Sequence, residues 1–162
     1  MVQVLSTMLR RLRNSRAIAA KQDITQAVSI LGTKARGDIR LGDDCAAIAD
    51  GDGYLLLASE GFQDSFVRAM PWFAGYCGVM VNVSDIAAMG GRPLAGVDAL
   101  WSDTSAAATA ILTGLQDGAQ PYGVPLVGWQ TTRRSTHTSL SVAILARANR
   151  LSTRFYSAPL AC

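Results

Sequence analysis

The stretch from Trp72 to Met89 constrains the fold more than any other part of the chain. It is strongly apolar, broken after Ala74 only by Tyr76, Asn82, Ser84 and Asp85, and it runs into Gly90-Gly91 with Pro93 just beyond. Glycine accepts the left-handed backbone that closes a helix, and proline cannot continue one, so the pattern predicts one long helix ending at Met89. Its polar interruptions also keep it short of the roughly 20 uninterrupted apolar residues of a membrane span. A helix that is apolar almost all round is a buried one, and the flanking segments read as strands.

Cys45–Ala49 and Tyr54–Ser59 read as strands joined by the turn Asp50-Gly51-Asp52-Gly53, a hairpin pattern, with an unbroken Leu55-Leu56-Leu57 run in the second strand. Beyond the long helix, Pro93–Trp101 reads as a strand and Ser105–Gln120 as an Ala-rich helix capped by Ser102 or Ser105. Gly123–Val127 is a short strand ending before Gly128, and Ser139–Ala146 a final one. Upstream, Val4, Leu5, Met8, Leu9 and Leu12 recur at helical spacing, and Asp23 caps a second short helix closing at Gly32. The order α-α-β-β-α-β-α-β-β predicts an α+β fold: a small mixed sheet of four strands, or slightly more, with helices on one face. Three parts are expected: a helical segment over 1–32, the main domain over 33–150, and an irregular tail over 151–162.

Charge is unevenly placed along the 162 residues. Residues 1–22 and 133–162 each hold five basic groups and no acid, while 23–132 holds five basic groups against all twelve acids, a net charge of −7. A nucleic-acid binder is not built this way, because its basic groups need a shared face and interleaved aromatics. The acidic middle instead suits a divalent cation. The basic N-terminus reads as an amphipathic helix with a solvated basic face, or as an organellar leader. A secretory signal is not expected. Three cysteines, Cys45, Cys77 and Cys162, with no CxxC pair, point to a reducing compartment, so the cytoplasm is expected.

Candidate site residues fall where elements begin or end. Asp43 and Asp44 lie on a turn before a strand, where adjacent carboxylates can converge. Glu60 follows the apolar strand, which would lift it clear of the core. Asp85 lies one turn after Asn82 in the long helix. A magnesium ion shared by Asp43 or Asp44, Glu60 and Asp85 would supply the partner such carboxylates need. Taken singly, each also reads as an ordinary solvated acid. His137 is the only histidine, so histidine triads and zinc sites have nothing to build on.

Taken together and in order, four blocks resemble the N-terminal half of the aminoimidazole ribonucleotide (AIR) synthetase superfamily. They are Gly42-Asp43-Asp44-Cys45-Ala46-Ala47-Ile48, Leu57-Ala58-Ser59-Glu60-Gly61, Val81-Asn82-Val83-Ser84-Asp85-Ile86-Ala87-Ala88-Met89-Gly90, and Val124-Pro125-Leu126-Val127-Gly128. The superfamily includes thiamine-monophosphate kinase, selenophosphate synthetase and a hydrogenase maturation protein, and the chain looks most like its AIR synthase-related branch. The resemblance implies a PurM-like N-terminal domain whose sheet pairs with a second copy in a homodimer. It also implies ATP held through magnesium ions on acidic residues. By position, Asp44, Glu60 and Asp85 match metal ligands, with Ser59 and Asp43 in the same shell. Gly128, Gln130, Thr131 and Arg133 match the region that meets the nucleotide.

Two departures bear on activity. Where the kinase pattern reads Gly-Gly-Asp-Thr-Thr, this chain has Gly128, Trp129, Gln130, Thr131 and Thr132, so an indole replaces a glycine and an amide replaces an acid. Trp129 reads either as a core aromatic or as a surface on which adenine stacks. The chain also stops where the resemblance expects a second domain, so the expected entity is an ATP- and magnesium-binding domain, truncated and of doubtful activity alone, with an open acceptor substrate. The alternative is a non-catalytic dimerisation module with a decayed nucleotide site. No nucleic-acid or membrane partner is expected.

Overall fold

The computed structural model describes residues 2–15, 29–30, 44–133 and 135–152. It divides into two units, 1–41 and 42–162. In the first, α1 (Val2–Arg13) is a helix with Arg10, Arg11 and Arg13 in its last turn, where they complement the helix dipole. Its Val4, Leu5, Met8, Leu9 and Leu12 are exposed. The short helix expected from Asp23 lies almost wholly outside the described residues, as do Asp43, most of the connection before Asp44, and the tail from 153.

The second unit is a five-stranded mixed sheet under helices. The strands are β1 (Ala46–Asp50), β2 (Gly53–Phe62), β3 (Arg92–Trp101), β4 (Leu126–Thr132) and β5 (Ser139–Ala148), in the spatial order β1-β2-β5-β3-β4. Every neighbouring pair is antiparallel except β3 and β4, which run parallel and are joined through a helix, as a parallel pair requires. The hairpin forms as its turn residues dictate, with Gly51 at φ +61°. The helices are α2 (Asp64–Ala69), α3 (Pro71–Ala88) and α4 (Ser105–Tyr122). The short α2 has no counterpart in the periodicity, since six residues are too few to show one. The cap of α4 is Thr104, not Ser102 or Ser105: its side chain accepts from Ala107 N at 3.2 Å. Ser102 is instead buried, with its hydroxyl donating to Thr104 O at 2.8 Å.

One face of the sheet carries the core. Leu56 and Ala58 of β2, Leu140, Val142, Ile144 and Ala146 of β5, and Leu100 of β3 share that face by register and are all buried, with Ile86 of α3 and Ile111 and Leu115 of α4 above them. Burial of each large aliphatic side chain contributes about 1.5–3 kcal/mol. Glycine lets α3 and α4 touch backbone to backbone: a Cβ on Gly114 would meet the Trp72 carbonyl, and one on Gly75 the Ile111 carbonyl. Trp72 Nε1 also donates to Asp117 Oδ2 at 2.8 Å across this crossing. A cavity lies between α4 and the β3–β4 edge.

Candidate functional site

Strand direction gathers the strand-borne candidate residues toward one end of the sheet. The ends of β2, β3 and β4 and the starts of β1 and β5 all lie there: Phe62 stands beside Leu140, Trp101 beside Ser139 and Thr132, and Ala46 beside Leu57. Asp44, half-buried, lies two residues before β1 at that end.

Ser59 and Glu60 do not share a face. They occupy successive positions of β2, so the pleat sends them to opposite sides. Glu60 pairs with Val142 on the helix-covered face, and Ser59 pairs with Ala143 on the open face. Nor does Glu60 stand at a strand end. β2 continues to Phe62 because β5 starts at Ser139 and keeps pairing through Gly61 and Phe62, and Ser141 Oγ donates to Glu60 O at 3.1 Å. Asp85 is half-buried near the end of α3, whereas Asn82, one turn earlier, is wholly buried and bonded to the sheet.

Among the described residues, no three His, Cys, Asp or Glu side chains form a group that could hold a metal by themselves. Carboxylate and hydroxyl oxygens are nevertheless the donors magnesium prefers. In phosphate-handling sites that ion is ordinarily held by one or two carboxylates, with phosphate oxygens and water completing its shell. The donor set here fits that mode and does not form an all-protein cage.

Gly128, Gln130 and Thr131 lie within β4, beyond the strand end expected at Val127, and Arg133 follows it. β4 extends to Thr132 because its backbone continues to pair with β3 up to Trp101. A register shift alters which side chains face the helices: Leu126 lies opposite Gly96, but Gly128 lies opposite Val97. Gly128 and Gln130 thus share the open face with Val97 and Ala99, while Trp129 and Thr131 share the helix side with Asp98 and Leu100. Gln130, Thr131 and Arg133 line one cavity of about 730 Å³, together with Trp129, Asp98 and the α4 residues Leu112 and Leu115. Trp129 is 69% exposed, which removes the core-aromatic reading and leaves its ring at the cavity.

Asp98 was not among the expected site residues. It is 7% exposed in an otherwise apolar strand, burial pushes its carboxyl above the ordinary value, and its Oδ2 meets no hydrogen-bond donor. An acid inside the run Pro93–Trp101 was the available sequence cue.

Beside the cavity, the turn before β5 is tied down. Thr138 Oγ1 donates to Asp103 Oδ1 at 2.8 Å, Arg68 lies 3.9 Å from Asp103, and Ser135 N donates to Ser102 O at 3.2 Å. His137 is exposed on this turn. Cys45 and Cys77 are buried cysteines outside any disulfide, and burial pushes the thiol of Cys77 up; Cys162 lies outside the described residues.

A family model described as AIR synthase related protein, N-terminal domain, matches residues 42–148. The chain belongs to this family. Among relatives, an uncharacterized protein of Synechocystis is 50% identical over 155 residues, covering 94% of this chain and 48% of its own length. Thiamine-monophosphate kinase of Methanospirillum hungatei is 32% identical over 105 residues, covering 63% of this chain and 37% of its own. Among solved structures, AaThiL (Aquifex aeolicus) complexed with AMPPCP and TMP superposes with a TM-score of 0.68 at 23% identity. That match covers 83% of this chain and 44% of AaThiL, and it shows the PurM-like α+β fold. The chain thus spans about half or less of the length of these relatives.

Proposed function

We propose that this chain is the ATP-binding N-terminal domain of an AIR synthetase-like or thiamine-monophosphate kinase-like enzyme of ATP-dependent phosphoryl transfer. The observation that carries the reading is the meeting of Gln130, Thr131 and Arg133 in one cavity, at the end of the sheet where Asp44, Ser59 and Glu60 also stand. From Trp129 the row across the sheet runs through Asp98 and Val142 to Glu60. That is three strand spacings of about 4.8 Å, or roughly 14 Å. A nucleotide with its base in the cavity and its phosphates along the sheet end would cross this distance.

In that arrangement Trp129 offers a flat face to the base, and Arg133 presents a planar fork of donors to phosphate oxygens. Asp44, Glu60 and Asp85 would hold magnesium jointly with those phosphates, and Asp43 belongs with them by sequence. The ion supplies charge neutralisation during phosphoryl transfer. The protein's share of such chemistry is mainly positioning, so the acceptor is bound where these elements and a second domain meet. The related AaThiL was solved with the ATP analogue AMPPCP.

The same reading makes the chain a homodimer through the sheet face opposite α3 and α4. Ile48, Leu57, Val97, Trp101 and Leu145 share that face by register and are all exposed. An apolar face of this kind marks an interaction surface. No helix among the described residues is long and apolar enough to cross a membrane. Buried cysteines outside any disulfide, Cys45 and Cys77, suit a reducing cytoplasm.

Isothermal titration calorimetry with Mg-ATP tests the proposal. Saturable binding is expected, weakened about tenfold or more by Asp44→Asn or Asp85→Asn, the loss of one charge-assisted contact. Absence of magnesium-dependent binding in the unaltered chain would favour the dimerisation module instead.

A further inference from the structure

The cavity between α4 and the β3–β4 edge contains one feature that phosphate binding does not use. Asp98 stands on its wall, 93% buried by its 7% exposure, with an Oδ2 that meets no donor. A buried acceptor without a partner carries its full desolvation cost unless something else supplies the hydrogen. The surroundings restrict what that can be. Leu112, Leu115 and Leu126 give the cavity an aliphatic wall, and Trp129 adds an indole. These surfaces suit a flat ring. Arg133, also on the lining, is the group that suits an anionic substituent on the same ligand.

We propose that Asp98 is the acceptor that reads the exocyclic amino group of an adenine ring bound in this cavity. The inference rests on the nucleotide reading above and deepens it, because it assigns base selection to a residue outside every phosphate- and metal-binding candidate. The aliphatic wall and Trp129 cover the two ring faces. The amine supplies the hydrogen that Asp98 lacks, and the triphosphate leaves past Arg133. A site built around a buried acceptor discriminates strongly against an analogue without the donor, since the acceptor is then left unpaired.

The test compares ATP with purine riboside triphosphate, which differs from it only in lacking the 6-amino group. Each is titrated by calorimetry, with magnesium, into the full chain and into Asp98→Leu and Asp98→Asn. Leucine removes the acceptor while keeping a γ-branched shape and buries no charge, and asparagine keeps a carbonyl oxygen in place. Circular dichroism verifies that each variant is folded. The unaltered chain is expected to bind ATP at least tenfold more tightly than the deaminated analogue. Asp98→Asn should keep that preference, and Asp98→Leu should bring the two affinities to within about twofold. Equal binding of both nucleotides by the unaltered chain, or an unchanged preference in Asp98→Leu, overturns this assignment and leaves nucleotide binding intact. Binding of neither triphosphate overturns the nucleotide reading itself.

Discussion

Asn82 fastens α3 to the centre of the sheet through Val142: its Nδ2 donates to Val142 O at 3.2 Å and to Gly78 O at 2.7 Å. Both Asn82 and Val142 are completely buried. The side chain is thus a polar pin in an apolar interface, and its value lies in donating to two carbonyls.

Replacing Asn82 tests that role directly. Asn82→Ala removes the donor and leaves a void beneath α3, so it should cost about 2–4 kcal/mol in denaturant unfolding. Asn82→Asp keeps the shape but turns a donor into an acceptor facing two carbonyl oxygens. Only its protonated form can donate. Asn82→Asp is therefore expected to be more destabilised at pH 7 than at pH 4, whereas Asn82→Ala should lose a similar amount at both.

The crossing of α3 and α4 predicts a second asymmetry, between glycines. At Gly114 an added Cβ would strike the Trp72 carbonyl, a backbone group that can move only if the whole helix moves. At Gly123, the residue closing α4 with φ +62°, nothing stands within 4 Å of the added Cβ. Gly114→Ala should therefore cost about 3 kcal/mol or more, as overpacking does, and widen the α3–α4 crossing. Gly123→Ala should cost only about 1 kcal/mol, the strain of a left-handed alanine. Parallel urea unfolding curves decide between this order and its reverse.

The sequence made some of this structure plain and hid the rest for physical reasons. The α3 helix was readable because its ending, Gly90-Gly91 and Pro93, is local chemistry, and Gly90 does adopt φ +77°. The hairpin was readable because Gly51 sits in its turn. Strand lengths were not, because β2 and β4 extend only as far as their partners allow. The position of Glu60 inside β2 depends on Ser139 starting β5 nearly 80 residues later. The side chosen by Trp129 depends on a register shift opposite Gly96 and Val97, which no period-2 pattern records. Asp98 stood in plain view as an acid in an apolar strand. What sequence could not supply was the cavity left by α4.

Asp98 also predicts how stability changes with pH. Burial raises its pKa above the ordinary aspartate value of 3.8, so the folded chain holds this proton more firmly than the unfolded chain does. The sign follows: this group's contribution is fully favourable below pH 3.8 and is lost as pH rises through the raised native value. Asparagine cannot ionise. The stability of Asp98→Asn relative to the unaltered chain should therefore improve as pH is raised from 3.5 to 7. A difference that stays constant across this range would show that Asp98 does not titrate abnormally.

Asp103 behaves in the opposite sense. The hydroxyl of Thr138, donating at 2.8 Å, is the main cause holding its carboxyl below the ordinary value, helped by Arg68 and by the backbone N–H groups of Asp103 and Thr104. The resulting stabilisation is present above pH 3.8 and is lost as pH falls through the lowered native value. Thr138→Val removes the donor while preserving shape, so the Asp103 carboxyl should titrate closer to 3.8 in a carbon-detected NMR titration. An unshifted titration in Thr138→Val would assign the lowering to Arg68 and the backbone instead.

The open face of the sheet gives the last prediction. Leu57 and Leu145 are direct partners in the β2–β5 ladder and both are exposed on this face. An isologous contact doubles the effect of any change near its centre, because each substitution occurs twice in the dimer. Leu57→Lys would place two ammonium groups in that interface. Neither side chain is buried within one copy, so the monomer should lose little stability, within about 0.5 kcal/mol. Sedimentation velocity should find a dimer for the unaltered chain and a monomer for Leu57→Lys with unchanged circular dichroism. If the unaltered chain sediments as a monomer across the micromolar range, this face does not mediate self-association in the isolated chain.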